Sequence, residues 1–358
     1  MSKEKIKVVV IGAGNMGSSH ARAYHTLPEF ELAGIVDQSE ERRSALAQEL
    51  GGVAHFDSFD KALESVKPEA AAICTYPDSH KMFTKQALEA GCHVFVEKPI
   101  AVTVEDSLEI LKMAKKYNKK IVVGYILRHH PAWTAFIDEA QKLGKPLVMR
   151  MNLNQQSKGK EWDTHKHLMQ SMSPIVDCGV HYVDVMCQMT RSNPVKVHTI
   201  GARLTDEIDS AMYNYGQLQV IFEDGSVGWY EAGWGPMMSE TAFFVKDVIG
   251  PKGSVSIADP EALKNTDSSD IDSHTKTNRL LIHHAELDEN GEFKSQDTIV
   301  DTKDEPGHQE LCNREQKFFA EAIQNDVDLT EHLEDAVNSL KIVLAADESY
   351  RTGKIISL

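Results

Sequence analysis

Apolar positions in the first third of the chain fall into short runs separated by stretches with helical period. Ile6, Val8, Val9, Val10 and Ile11 form a β-branched run without polar alternation, as expected of a strand buried on both faces. Phe30–Val36, Ala54–Phe56, Ala70–Thr75, His93–Val96 and Ile121–Gly124 read as further short strands. Between them the spacing predicts helices over Ser18–His25, Ser39–Leu50, Ser58–Ser65, Lys81–Ala90 and Val104–Asn118, with Ser39 and Ser58 as N-caps. Alternation of this kind predicts a doubly wound parallel sheet. The pattern changes near Tyr125. A helix over Pro131–Leu143 leads into runs with strand character: Leu147–Leu153, Val195–Leu204, Met212–Phe222, Ser226–Tyr230, Ala242–Ile249 and Leu280–Ala285. Glu223–Ser226 and Asp288–Gly291 carry hairpin-turn chemistry. The second half is therefore expected to be a mostly antiparallel open sheet, interrupted by one helix over Ser171–Thr190. Asp259–Asn278, rich in Ser, Asp and Thr, reads as a long surface loop, and helices over His308–Asn325 and Glu331–Tyr350 close the chain.

The first strand runs into Gly12-Ala13-Gly14-Asn15-Met16-Gly17, a helix follows, and the second strand ends at Asp37, 20 residues after Gly17. Gly12 allows the tight turn, Gly14 lets a pyrophosphate approach the backbone, and Gly17 lets the helix pack close to the strand. Free N–H groups and the dipole at the helix start favour phosphate, and Asp37 can accept from the adenosine ribose hydroxyls. With strand before, helix after and an acid at this distance, the stretch predicts dinucleotide binding. A carboxylate at Asp37 repels a 2′-phosphate, which favours NAD over NADP. Arg42 and Arg43 in the next helix could soften that preference, but are expected to lie on a solvated helix face. The predicted class is α/β, with a dinucleotide-binding domain over 1–125 and a substrate and oligomerisation domain over 126–358, whose last helices can pack back on the first domain.

The 358 residues suit two domains, and a formal charge of −16 disfavours nucleic acid and anionic membrane surfaces as partners. Five cysteines with no CxxC pair suggest neither a disulfide framework nor a zinc site. The start of the chain lacks an apolar signal core, and no apolar run is long enough to span a bilayer, so the expected location is the cytoplasm.

Two further stretches carry candidate chemistry. On one continuous helix, Asp177, His181 and Asp184 fall at i, i+4 and i+7 and share a face, and an imidazole beside a carboxylate is a general base with a fixed orientation. The same pairing on a helix also serves structure. Lys98 follows a strand predicted to end at the ligand-binding edge of the sheet, where an ammonium can stabilise charge on a substrate oxygen, although most lysines after strands simply face solvent. The spacing of His165, His167, Asp177 and His181 matches no zinc pattern, so no metal is expected.

In order and spacing, Gly12–Gly17, Thr75-Tyr76-Pro77-Asp78-Ser79-His80, Glu97-Lys98-Pro99 and Asp177–Asp184 resemble the Gfo/Idh/MocA oxidoreductases, which include glucose–fructose oxidoreductases and inositol dehydrogenases. The resemblance covers essentially the whole chain. It implies an N-terminal Rossmann domain and an NAD-dependent dehydrogenase acting on a hydroxyl of a sugar, sugar derivative or cyclitol. His181 would take the hydroxyl proton, Asp177 would orient His181, and Lys98 would bind the reacting hydroxyl. Cofactor contacts would come from Gly12, Gly14, Asn15, Met16, Gly17, Asp37, Thr75, Pro77, His80, Glu97 and Lys98, with Asp184 supporting the helix. Tyr125, Arg128, Trp162 and His165 are weaker substrate candidates, and Trp234 is one for cleft, core or interface. Arg128-His129-His130-Pro131 departs from the family pattern, which usually has an aromatic at the His129 position, and Cys178 stands where a small or apolar residue is common. Some relatives hydrolyse glycosides by transient oxidation and elimination, and a non-catalytic NAD(H) sensor is the third reading. The resemblance also implies a homodimer or homotetramer formed through the C-terminal sheet.

Overall fold

The computed structural model describes residues 4–239, 245–257, 277–302 and 304–358. They form two compact units, one of residues 1–126 with 306–337 and the other of 127–305 with 338–358.

In the first unit, β1 (Ile6–Ile11), β2 (Phe30–Val36), β3 (His55–Phe56), β4 (Ala70–Ile73), β5 (His93–Glu97) and β6 (Ile121–Gly124) make a sheet of order β3-β2-β1-β4-β5-β6. Every pairing is parallel. Helices α1 (Asn15–Thr26), α2 (Glu40–Glu49), α3 (Phe59–Val66), α4 (His80–Glu89) and α5 (Val104–Tyr117) alternate with the strands. Val8, Val9 and Val10 are wholly buried, and each such side chain contributes about 1.5–3 kcal/mol through removal from water. Ser39 accepts from the Arg42 amide and Ser58 from the Lys61 amide, the capping that starts α2 and α3. The strand order reverses between β1 and β4, so their carboxyl ends, at Gly12 and Cys74, meet at a switch point where ligands bind in open parallel sheets.

The second unit contains α6 (Pro131–Lys142), β7 (Val148–Gln156), α7 (Lys160–Leu168), α8 (Pro174–Asp177), α9 (Gly179–Thr190) and β8 (Pro194–Ala202). Then come β9 (Tyr215–Phe222), β10 (Val227–Gly235), β11 (Lys246–Gly250), β12 (Gly253–Ile257), β13 (Asn278–His284) and β14 (Thr298–Thr302). After α10 (His308–Gln324), which belongs to the first unit, α11 (Thr330–Thr352) runs from one unit into the other, and β15 (Ile356–Ser357) completes the second sheet. Its order is β14-β13-β12-β11-β7-β10-β9-β8-β15. All pairings are antiparallel except β7 with β10, which makes the sheet mixed.

Several elements differ from the sequence-based expectation. The helix expected over Ser171–Thr190 is two helices joined at Cys178, because Pro174 starts the short α8 and Gly179 starts α9. Lys160–Leu168 is helical, and β12, β14 and β15 are additional strands. Each of these strands is short; β14 and β15 pair only with strands beyond a loop or far away in sequence, whereas β12 forms a tight hairpin with β11. The expected strand over Ala242–Ile249 lies outside the described residues at 242–244, as does the expected loop at 259–276.

Candidate active site

In the first unit, the loop from β1 to α1 is shaped by its glycines. Gly12 has φ +96°, and a Cβ there would lie 2.5 Å from the Cys74 carbonyl oxygen. A Cβ on Gly17 would lie 1.8 Å from the Gly12 oxygen, so both positions demand glycine. Around a Cβ on Gly14 there is nothing within 4 Å, which leaves the loop open on that side. Gly14 is the N-cap of α1 and Asn15 and Met16 are its first residues, so the helix start presents backbone N–H groups with no capping side chain. The open side and the exposed donors fit a dinucleotide pyrophosphate.

Asp37 is 9% exposed. Its Oδ2 accepts from the Ala13 amide at 2.8 Å, and its Oδ1 accepts from the Ser39 amide at 2.8 Å and from Arg42 Nη2 at 2.9 Å. Burial pushes this carboxyl up, but Arg42 and the two amides outweigh it and hold the pKa below the usual carboxylate value. Arg43 Nη1 donates to the carbonyl oxygens of Asp37 and Gln38 at 3.2 and 3.1 Å. Of the two arginines expected on a solvated helix face, Arg42 is exposed and Arg43 half-buried, and both also bond residue 37 or its backbone. A local pattern reads a helix face and misses the guanidinium reaching back over the turn.

Next to the cradle, Thr75 Oγ1 and Ser79 Oγ are 2.7 Å apart, and Pro77 opens a 3₁₀ turn over Pro77–Ser79. His80 is fully buried between two carbonyls, with Nδ1 2.8 Å from Pro99 O and Nε2 3.0 Å from Thr75 O. Burial lowers its pKa, against the pull of the two carbonyls. His80 therefore pins the loop after β4 to the loop after β5, a structural contact between two predicted cofactor segments. Glu97 is 6% exposed at the end of β5. Its Oε1 lies 2.7 Å from His20 Nε2, and its Oε2 accepts from the Lys98 amide at 3.2 Å. Besides the cofactor contact expected of it, Glu97 thus ties its side chain to the backbone of the Lys98 loop. His20 had no sequence signal, since its partner lies 77 positions away.

In the second unit, Asp177 closes α8 and His181 lies in the first turn of α9, its amide donating to Cys178 O at 3.2 Å. The two are therefore set by a helix junction instead of one continuous helix face. A Cβ on Gly179 would come within 2.9 Å of the Tyr230 ring, so glycine lets α9 approach β10 closely. The Tyr182 and Tyr230 rings stack at 4.9 Å, and burial raises both phenol pKa values. The Cys178 thiol donates to Gln155 Oε1 at 3.4 Å and lies 3.7 Å from Asp177 Oδ2. Trp234 Nε1 donates to the same Gln155 oxygen at 2.7 Å. Lys246 Nζ sits 5.5 Å from the Tyr182 ring centroid, and burial lowers its pKa to about 7. Gln155, Tyr182 and Lys246 escaped the sequence reading. The only signal was Lys246 itself, in phase with the inward-facing Val248 on β11.

The weaker substrate candidates are held by protein partners. Arg128 donates from Nε and Nη2 to the two Asp184 oxygens at 2.9 and 2.6 Å. Burial raises the Asp184 pKa, with Arg128 opposing it. Trp162 packs with Met169, Ile208 and Trp234 and donates to Glu207 Oε1 at 3.2 Å. His165 stacks flat on Trp234 at 4.3 Å, and Tyr125, in the first unit, is fully buried. The two histidines after Arg128 are partly or wholly buried, and burial lowers the His129 pKa to about 4. Among the described residues no group of three His, Cys, Asp or Glu is placed to hold a metal, and no helix is long and apolar enough to cross a membrane.

Residues 6–125 match the profile described as the oxidoreductase family with NAD-binding Rossmann fold, and residues 137–256 match the GFO/IDH/MocA C-terminal domain. The chain belongs to the Gfo/Idh/MocA family of NAD-binding oxidoreductases acting on CH–OH groups. Among its relatives is the D-glucoside 3-dehydrogenase of Escherichia coli K12, 26% identical over 80% of this chain and 89% of that protein. Another is the NAD-dependent scyllo-inositol 2-dehydrogenase of Bacillus subtilis 168, 25% identical over 99% of this chain and 97% of that one. The same fold is found in the scyllo-inositol dehydrogenase of Lactobacillus casei, solved with NAD(H) and scyllo-inositol, at TM-score 0.78 and 21% identity over 99% of each chain.

Proposed function

We propose that this protein oxidises a hydroxyl of a sugar, sugar derivative or cyclitol, with His181 as the general base. The observation that carries this reading is the intact Lys98, Asp177 and His181 set in a chain of this family, alongside a glycine loop that fits a pyrophosphate. NAD, when bound by Gly12–Gly17 and Asp37, supplies the hydride acceptor. The His181 imidazole takes the proton from the substrate hydroxyl oxygen. Asp177 orients that imidazole and favours its protonated form. The Lys98 ammonium binds the same hydroxyl and offsets negative charge on its oxygen as the proton leaves. Relatives that act on glucosides and inositols support the substrate class. Arg128 and Trp162, engaged with Asp184 and Glu207, help hold the second unit together, as His165 does by its stack on Trp234.

The same reading extends to assembly. Ile221, Val227, Val148 and Ile249 lie in register on four neighbouring strands, β9-β10-β7-β11, and each is between 38 and 43% exposed. That apolar row suits burial against a second copy of the chain.

The test is a set of single substitutions. Lys98→Ala, Asp177→Ala and His181→Ala are each expected to lower turnover by about 10²–10⁴-fold while NADH still binds. Full turnover in the Lys98 and His181 variants would overturn the assignment.

A further inference from the structure

Helix α10 brings Glu315 and Gln316 into the first unit, where a chain of buried polar groups leads to Glu97. Tyr24, His20 and Gln316 are each 0% exposed. The Tyr24 hydroxyl donates to Gln316 Oε1, and Gln316 Nε2 is 2.9 Å from His20 Nδ1. His20 Nε2 is 2.7 Å from Glu97 Oε1, and Glu97 Oε2 accepts from the Lys98 amide at 3.2 Å.

The chain has a direction. An amide whose oxygen takes the phenol proton presents its N–H to the imidazole. An imidazole that accepts at Nδ1 carries its proton on Nε2 and donates it to the carboxylate. Every donor from Tyr24 onward therefore points toward Glu97, the residue before Lys98.

Two neighbours confine Glu97 further. A Cβ on Gly124 would lie 3.2 Å from both Glu97 Cδ and Oε2, so β6 walls off that side. Glu315 is 1% exposed, and its Oε1 has no hydrogen-bond partner. Burial and the charge of Glu97 push its carboxyl pKa well up. Apolar side chains would fill this space without the cost of burying so many polar groups, which points to a positional role for the network.

We propose that Tyr24, Gln316 and His20 are positioning residues. They hold Glu97 in one rotamer, and through it they fix the backbone at Lys98. The inference rests on the proposed role of Lys98, and its test separates the two. In histidine-labelled full-length protein, the ring nitrogen shifts of His20, assigned with a His20→Ala control, should show a neutral ring with the proton on Nε2. Gln316→Leu should mix the two tautomers and lower kcat by about tenfold or more, as loss of positioning does, with NADH affinity within about twofold. Tyr24→Phe, a milder change that tests the chain if Gln316→Leu fails to fold, should shift both readouts the same way by less. In a Lys98→Ala background neither substitution should cost further turnover, because the path to the chemistry is already gone. A proton on Nδ1 in the unaltered protein, or an undiminished loss in the Lys98→Ala background, would overturn the relay. Full turnover in Lys98→Ala alone would overturn the role of Lys98, while the His20 tautomer would still report whether the chain holds Glu97.

Discussion

The glycine cradle and the Asp177–His181 junction are built in different ways. In the cradle the glycines lie within one β-strand–loop–helix stretch, and the constraints are backbone sterics: a Cβ at Gly17 meets the Gly12 oxygen, and one at Gly12 meets the Cys74 carbonyl oxygen after β4. At the junction the determinants come from separate elements. Gln155 arrives on β7, Tyr230 and Trp234 on β10, and Lys246 on β11. A site of the first kind is written largely in consecutive residues, whereas one of the second kind exists only after the sheet has formed.

That difference can be tested by breaking each region. The largest effect is expected for Gly17→Ala, whose new Cβ meets the Gly12 backbone oxygen. Fluorescence titration should show NADH affinity lost by about 100-fold or more, because neither backbone can yield without opening the turn. Next comes Asp184→Asn, which leaves the Arg128 guanidinium mostly buried beside a neutral partner. Chemical denaturation should show a loss of about 3–5 kcal/mol, the usual cost of breaking a buried pair. The pair lies in the second unit, so NADH binding at 25 °C should change little.

Asp37→Ser sharpens the picture of the cradle. With the carboxylate gone, Arg42 loses its Asp37 partner, while Arg43 keeps its backbone acceptors and its pair with Glu40 at 4.0 Å. The ratio of NADPH to NADH affinity should rise by about tenfold, and a further Arg42→Ala change should cancel the gain. Gly179→Ala probes the junction in the same spirit. Its Cβ would press on the Tyr230 ring, which can shift slightly, so turnover should fall several-fold at a stability cost of about 1–3 kcal/mol.

The smallest effect is a pH dependence. Glu315 has a folded pKa well above the usual 4.5, raised by burial first and by Glu97 second. The unfolded chain therefore releases this proton at lower pH than the folded one, and stability falls as pH rises from about 4.5 toward the folded value. Glu315→Gln removes that slope. Thermal unfolding should show the variant gaining about 1–2 kcal/mol over the parent at pH 8 and almost nothing at pH 4.

Legibility in the sequence followed the same division. The parallel sheet, its strand and helix alternation, the Ser39 and Ser58 caps and the hairpin turn at Gly225 are local devices, and the chain announces them. The split of the helix at Cys178 was legible in principle from Pro174 and Gly179, but the apolar period across them masked it. His20, Gln316 and Glu315 carried no signal, because a histidine within a helix acquires meaning only when a glutamate 77 residues later folds beside it. Arg128 and Asp184 are likewise 56 positions apart, and their ion pair explains why Asp184 belongs to the fold. The mixed character of the second sheet rests on one parallel pairing, β7 with β10, which no hairpin signal encodes.

The most direct test of the central claim is an absorbance assay for NADH. The purified protein and NAD are mixed with cyclitols, aldoses, sugar acids and aryl glycosides, and each active mixture is repeated with His181→Ala. The account predicts NADH formation with at least one polyol, abolished in the variant although NADH still binds it. Aryl-glycoside cleavage without net NADH, or silence across the panel despite tight NAD binding, would contradict it.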